Sequence, residues 1–377
     1  MNEKSTTYPG YVLILKVSLA LLVLLGTIML FSASSQISLE RYGNSNAYFF
    51  HHLQRLFIAL LLGLACYLID YRTFRKHIRL IYILTLVAVI MPFVQNMMSN
   101  RSDPARWIRT GVMTIQTAEI LRFTLIIYLA SYLSGRKETI MSYRQGILPP
   151  FITLGIPILL IALAPDFSTA VVLFLITCII LYVGGIPLKH LAITTLPLLL
   201  GAFVYVRISD YRWNRVLVFL GKESNPSGSA YQINQSLISL ANGRLAGTGL
   251  GKSMLKNLYL PEAHTDFIYS IIGEEWGFLG AGFFILLFIL IFISLIRLSM
   301  DIRDMYGKYI VFGINISLIL YALFNMGVTV GLFPVTGLPM PFVSYSGSQL
   351  LINGALLGIL FRIIRETFHA ETVYKTY

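Results

Sequence analysis

Asp266 closes the run Leu260-Pro261-Glu262-Ala263-His264-Thr265-Asp266, and an apolar helix is expected to begin directly after it, so its carboxylate stands where an aqueous loop meets a lipid slab. A charge there is costly unless it has a partner or work to do. Upstream, the glycine-punctuated stretch 243–251 carries Arg244 and leads to Lys252 and Lys256, and the same polar interval opens with Arg207, Arg212 and Arg215. Cations on a flexible backbone can receive phosphate oxygens through point charges and N–H groups. These glycines lack the Gly-x-x-x-x-Gly-Lys-Ser/Thr spacing and follow no strand of a βαβ unit, which excludes a nucleotide-binding P-loop.

Three further stretches hold candidate residues. Arg106 and Arg109 flank Trp107 at an expected interface, and the next apolar run contains Gln116, Glu119 and Arg122. Glu119 and Arg122, spaced i,i+3, either neutralise each other on one helix face or meet a substrate. Asp166, in Ala164-Pro165-Asp166-Phe167, either caps a new helix or joins the site of Asp266. The stretch 333–349 has three prolines, several hydroxyls including Ser344 and Ser348, and almost no charge, which predicts a packed loop lining a polar cavity.

The elements that must position these groups are membrane spans. Hydrophobic residues make up 56% of the chain and charged ones 12%, with a mean hydropathy of +0.74; soluble domains carry about 25% charged residues. Ten apolar runs approach the ~20 residues that cross a bilayer: 11–34, 53–70, 80–98, 112–133, 147–165, 167–185, 187–206, 266–296, 309–333 and 346–366. The expectation is an all-α polytopic membrane protein, 1–377 as one domain, with 207–265 as a large outer loop containing an amphipathic interfacial helix near 231–240. Basic clusters at Arg72–Arg79, Arg136–Arg144, Arg297–Lys308 and Arg362–Arg365 fall on the side of the N-terminus, which places both termini in the cytoplasm. That bias accounts for much of the net charge of +12 and removes the need for a nucleic-acid partner. Cys66 and Cys178 lie in separate spans and form neither a disulfide framework nor a Cys-x-x-Cys site. The first run ends without a small-residue cleavage pattern and reads as a retained helix.

The runs 226–237, 243–251, 259–268 with Glu274-Glu275-Trp276-Gly277, and 334–349 resemble the SEDS family, the group of RodA, FtsW and SpoVE, over essentially the whole chain. Weaker likeness lies at 106–108, 116–119 and 165–170, where Thr117-Ala118 and Ser168 depart from the family pattern. The wording of 260–267 and 106–108 sits slightly closer to the FtsW division branch than to the RodA elongation branch.

The resemblance implies a peptidoglycan glycosyltransferase of the bacterial cytoplasmic membrane that polymerises lipid II at the outer face, with Asp266 as general base. It implies pyrophosphate or sugar contacts among Lys256, Arg244, Arg212, Arg215, Arg106, Arg109, Glu119, Asp166, His264, Ser344 and Ser348. A divalent cation, Mg or Mn, could share the work, although no dedicated ligand cluster is readable. Implied partners are lipid II, undecaprenyl-pyrophosphate-linked glycan, a class B penicillin-binding protein transpeptidase and other division or elongation membrane proteins. A lipid II flippase, drawing on the intramembrane charges, and a non-catalytic scaffold are the competing readings.

Overall fold

The computed structural model describes residues 8–99, 104–109, 114–136, 139–222, 228–257 and 259–374. Each expected apolar run is helical over most of its length. The helices are α1 (Gly10–Tyr42), α2 (Ala47–Leu68), α3 (Tyr71–Lys76), α4 (Ile78–Met98), α5 (Thr117–Ser134), α6 (Leu148–Leu163), α7 (Phe167–Val183), α8 (Leu188–Ile208), α9 (Asp210–Phe219), α10 (Ser229–Gly243), α11 (Ile268–Asp301), α12 (Met305–Thr329) and α13 (Gly347–Tyr374). Among the described residues eight helices are long and apolar enough to cross a membrane, and α7, with 17 residues, is a shorter apolar helix. The architecture is that of a polytopic all-α membrane protein. α11 and α12 form its centre, with α1, α5, α7 and α10 packed around them and α2 lying along α13.

Several boundaries differ from the sequence expectation. α1 continues past residue 34 to Tyr42, where Gly43 ends it in a left-handed conformation with φ 65°, because the polar residues after 34 remain good helix formers above the lipid. The fourth apolar run does not begin at 112: Trp107–Arg109 and Thr114–Gln116 pair as a short antiparallel hairpin, and α5 starts only at Thr117. Asn225-Pro226-Ser227-Gly228 has the composition of a turn, and of these residues Gly228 alone is among those described.

α10 is present as expected, and one of its faces packs on α11 while Leu237 and Ile238 stay exposed. Its Ser236 and Ser239 are buried against α11, bonded to Ser270 Oγ at 2.5 Å and to the Ser270 carbonyl at 3.1 Å. Hydroxyls that find partners across a helix contact can be buried at little cost.

The largest correction concerns the eighth span. α11 is broken at Gly277, whose φ of 68° and ψ of −167° lie outside the helical region, a conformation glycine adopts without a Cβ penalty. The chain folds back there. Tyr269 Oη reaches the carbonyl of Ala281 at 3.3 Å, although a straight helix would hold residues twelve apart ~18 Å from each other. Backbone groups freed by the break are taken by the glycine run. The N–H groups of Phe278 and Leu279 donate to the carbonyls of Arg244 and Leu245, and those of Thr248 and Gly249 donate to Glu274 and Glu275. Glu274 and Glu275 therefore sit at a turn and not deep within one continuous span, and Phe278–Asp301 supplies the apolar length.

Candidate active site

Asp266 lies in the turn before α11, and its carboxylate is set by backbone contacts on both sides. Its N–H donates to the Glu262 carbonyl at 3.1 Å. Asn325 of α12 uses one Nδ2 to donate to the Asp266 carbonyl and to that of Leu338, both at 2.8 Å. This amide ties the 260–266 turn to the 334–349 stretch. Ser344 does the same, donating to the Thr265 carbonyl at 2.5 Å while accepting from Met340 N–H. Gly337 approaches Asp266 so closely that an added Cβ would sit 3.3 Å from Oδ2, at a φ of 70°.

No hydrogen bond among the described residues reaches the Asp266 carboxylate. Burial first, then Glu262, push its pKa up to about 7; Asp166 acts in the same direction, while Arg215 and Arg106 pull it down. A carboxyl poised near neutrality can take a proton from a hydroxyl, and the two guanidinium groups whose charge reaches it can meet developing negative charge.

The sequence candidates divide around this centre. Arg215 donates to the Val335 carbonyl at 2.9 Å, on the segment that leads to Gly337. Arg106 bonds the carbonyls of Ala164 and Pro165. Asp166 opens α7 without capping its backbone: its oxygens accept from Gln116 Nε2 at 2.8 Å and Thr169 Oγ1 at 2.6 Å, and its charge reaches Asp266. Arg212 stacks on Tyr205, 3.9 Å from the ring centroid, and donates to its hydroxyl at 2.7 Å. Arg109 pairs its backbone with Gln95 on α4.

Six candidates are engaged elsewhere in the protein. Glu119 is held by Arg122 Nη2 at 2.7 Å with both side chains buried, and Asn353 and Ser317 complete the guanidinium shell. Lys256 is equally committed: its Nζ lies 3.0 Å from Glu275 Oε1 and 3.0 Å from Ser32 Oγ, and is buried. Arg244 belongs to the Gly277 turn, ~16 Å from Asp266 along eleven residues of helix. His264 is buried against the rings of Tyr48 and Tyr345, and burial lowers its pKa, so it packs as a neutral ring. Ser344 and Ser348 spend their hydroxyls on backbone, the latter on Gln116 N–H and the Thr114 carbonyl. The buried ionic and hydroxyl groups among them find protein partners, as burial requires. Glu119 is paired with Arg122 and Glu275 with Lys256, while Glu274 accepts from the hydroxyls of Ser239 and Ser253.

Asn325 and Gly337 were missed. An asparagine inside a 25-residue apolar helix was the readable signal for the first; nothing local pointed to the second.

A family model described as a cell cycle protein and covering FtsW, RodA and SpoVE matches residues 12–369. The chain belongs to this family. It is 35% identical to the probable peptidoglycan glycosyltransferase FtsW of Coxiella burnetii, over 97% of this chain and 100% of that protein. It is 32% identical to the stage V sporulation protein E of Bacillus subtilis, over 94% and 96%. Two solved structures share its fold. One is from a peptidoglycan synthase complex that coordinates polymerization and crosslinking, with TM-score 0.73 and 24% identity over 95% of this chain and 97% of that one. The other is the Thermus thermophilus rod shape determining protein RodA, with TM-score 0.67 and 24% identity over 95% and 96%.

Lys256 and Glu275 yield a prediction that separates structure from chemistry. Lys256→Ala should destabilise the protein by about 3–5 kcal/mol by leaving Glu275 buried and unpaired, whereas Lys256→Met combined with Glu275→Leu should recover most of the loss. Thermal melting of the three proteins in detergent tests this. A Lys256→Ala protein that melts like wild type but has lost all activity would return Lys256 to the substrate site.

Proposed function

We propose that this FtsW/RodA/SpoVE-family chain is a peptidoglycan glycosyltransferase that polymerises lipid II at the outer face of the cytoplasmic membrane, with both termini inside. The observation that carries the reading is the Asp266 carboxyl, held beside Gly337 by the Asn325 bond to its backbone and left without a hydrogen-bond donor among the described residues, where burial raises its pKa to about 7 and the charges of Arg215 and Arg106 reach it. The names of the relatives, glycosyltransferases of the FtsW type, agree with it. In the reaction the acceptor sugar hydroxyl attacks the anomeric carbon of the donor. The bond from that carbon to the pyrophosphate oxygen breaks, configuration inverts, the hydroxyl proton passes to Asp266, and the charge on the pyrophosphate is met by the two guanidinium groups.

Among the described residues no three His, Cys, Asp or Glu side chains converge as metal ligands, so a divalent cation would need substrate oxygens for most of its shell. The partner in this reading is a class B penicillin-binding protein transpeptidase, which would cross-link the strand as it emerges; the fold shared with a synthase complex supports that pairing.

The decisive experiment is a polymerisation assay with purified protein and labelled lipid II, alone and with such a transpeptidase. Absence of glycan strands in both conditions would overturn the assignment.

The pH dependence follows from the base. Because Asp266 must be ionised to act, the rate should be low in acid, rise through about pH 7 and level off above it. Glu262→Gln removes a negative neighbour and should move the midpoint downward. A flat profile between pH 5 and 9 would exclude a titrating base with this pKa.

A further inference from the structure

The end of the bundle opposite Asp266 holds a second feature that the reaction does not use. Tyr11 at the start of α1 bonds Asp301 at the end of α11, so this end carries the N-terminus. Here α1, α2 and α13 enclose a groove of about 540 Å³, open to the side and almost entirely apolar, lined by residues including Leu56, Leu60, Leu64, Leu357 and Phe361. Leu60 and Leu64 are 64% and 54% exposed along it.

Its two cations are Lys16 and Arg365. Lys16 lies over the Tyr8 ring at 4.3 Å, and Arg365 reaches Tyr67 Oη at 3.5 Å. Neither meets a carboxylate among the described residues, since Glu366 is already taken by Arg72 and Arg362. The groove follows α13 from Leu350 to Arg365, ~22 Å at 1.5 Å per residue, against the ~15 Å of hydrocarbon in one leaflet. Long apolar walls ending in two unneutralised cations, each resting on a tyrosine of the interfacial kind, complement a fatty chain joined to a phosphate.

We infer that the groove between α1, α2 and α13 binds one anionic glycerophospholipid of the leaflet opposite Asp266, with an acyl chain along α13 and the phosphate between Lys16 and Arg365. The bound lipid fastens α1 to α13 where no carboxylate among the described residues bridges the two cations.

The test is native mass spectrometry of the full-length protein in non-ionic detergent, titrated with phosphatidylglycerol or with phosphatidylcholine of the same chains. One molecule of phosphatidylglycerol should be retained saturably and phosphatidylcholine should not. Lys16→Gln and Arg365→Gln should each weaken retention about fivefold, the size of one cation near a lipid phosphate. Leu60→Trp fills the groove without touching a cation and should also weaken phosphatidylglycerol retention. Lys76→Gln, a cation at the same end that does not line the groove, should leave retention unchanged.

Equal retention of the two lipids, or an effect of Lys76→Gln as large as that of Lys16→Gln, would reduce the site to generic surface attraction and overturn the inference. Displacement by inorganic phosphate alone would make it an anion site, and displacement by a polyprenyl phosphate at tenfold lower concentration would make it a substrate-lipid site. Either result also refutes the proposal.

Discussion

Asp266→Asn should reduce lipid II polymerisation by roughly a thousandfold or more, because the amide keeps the shape of the side chain but cannot accept the hydroxyl proton. General-base assistance contributes about 10²–10⁴ in rate, and the neighbouring carboxyls are engaged elsewhere: Asp166 by Gln116 and Thr169, and Glu262 by Thr265. The loss should not come from misfolding, since the Asn325 bond goes to the backbone of residue 266 and survives the substitution. The folded pKa of Asp266 is raised from 3.8 to about 7. Such a group favours the folded state below the lower value and loses that contribution as pH rises through the higher one. At pH 8 the Asp266→Asn protein, neutral at this position, should therefore melt no earlier than wild type. Turnover within tenfold of wild type by Asp266→Asn would end the general-base assignment.

The second large effect is expected at Arg215. Removing one oriented cation from a developing charge costs about 10²–10³ in rate, and Arg215 is fixed by the Val335 carbonyl and stacked on Tyr211, its guanidinium 4.7 Å from the ring centroid. Arg215→Ala should show that loss. Arg215→Lys should keep part of the activity, because an ammonium retains the charge without the planar fork. The substitution to alanine should also move the pH midpoint upward, because the Arg215 charge lowers the pKa of Asp266. A purely structural arginine would leave that midpoint unmoved. Arg244→Ala is the comparison, and its polymerisation should stay within a few-fold of wild type. Equal losses at the two positions would mean that the pyrophosphate extends to the Gly277 turn.

Class, the approximate positions of most apolar helices and the place of Asp266 at the edge of one of them were legible in the sequence for simple reasons. A helix that must satisfy every backbone group in lipid leaves a long apolar run, and a carboxylate at the edge of such a run stands out against it. Asp266 was visible on those grounds alone. Which cations serve it was not. Lys256 and Arg215 look alike in the chain, both basic and both in the outer loop. Lys256 is paired with Glu275 and donates to Ser32, 224 positions away, while Arg215 is held near Asp266 by a carbonyl 120 positions downstream.

The break in α11 was hidden for a related reason. Hydropathy reports that residues 268–301 prefer lipid or protein to water, and it is blind to a glycine that reverses the chain direction. That reversal depends on the glycine run 243–249 supplying hydrogen bonds to both sides of the break. Local sequence thus determined the membrane class and the acid, because burial and periodicity are properties of neighbouring residues. Only the tertiary structure decided which charges are spent on each other and which remain for chemistry, because a buried ion pair forms wherever long-range packing brings two side chains within reach.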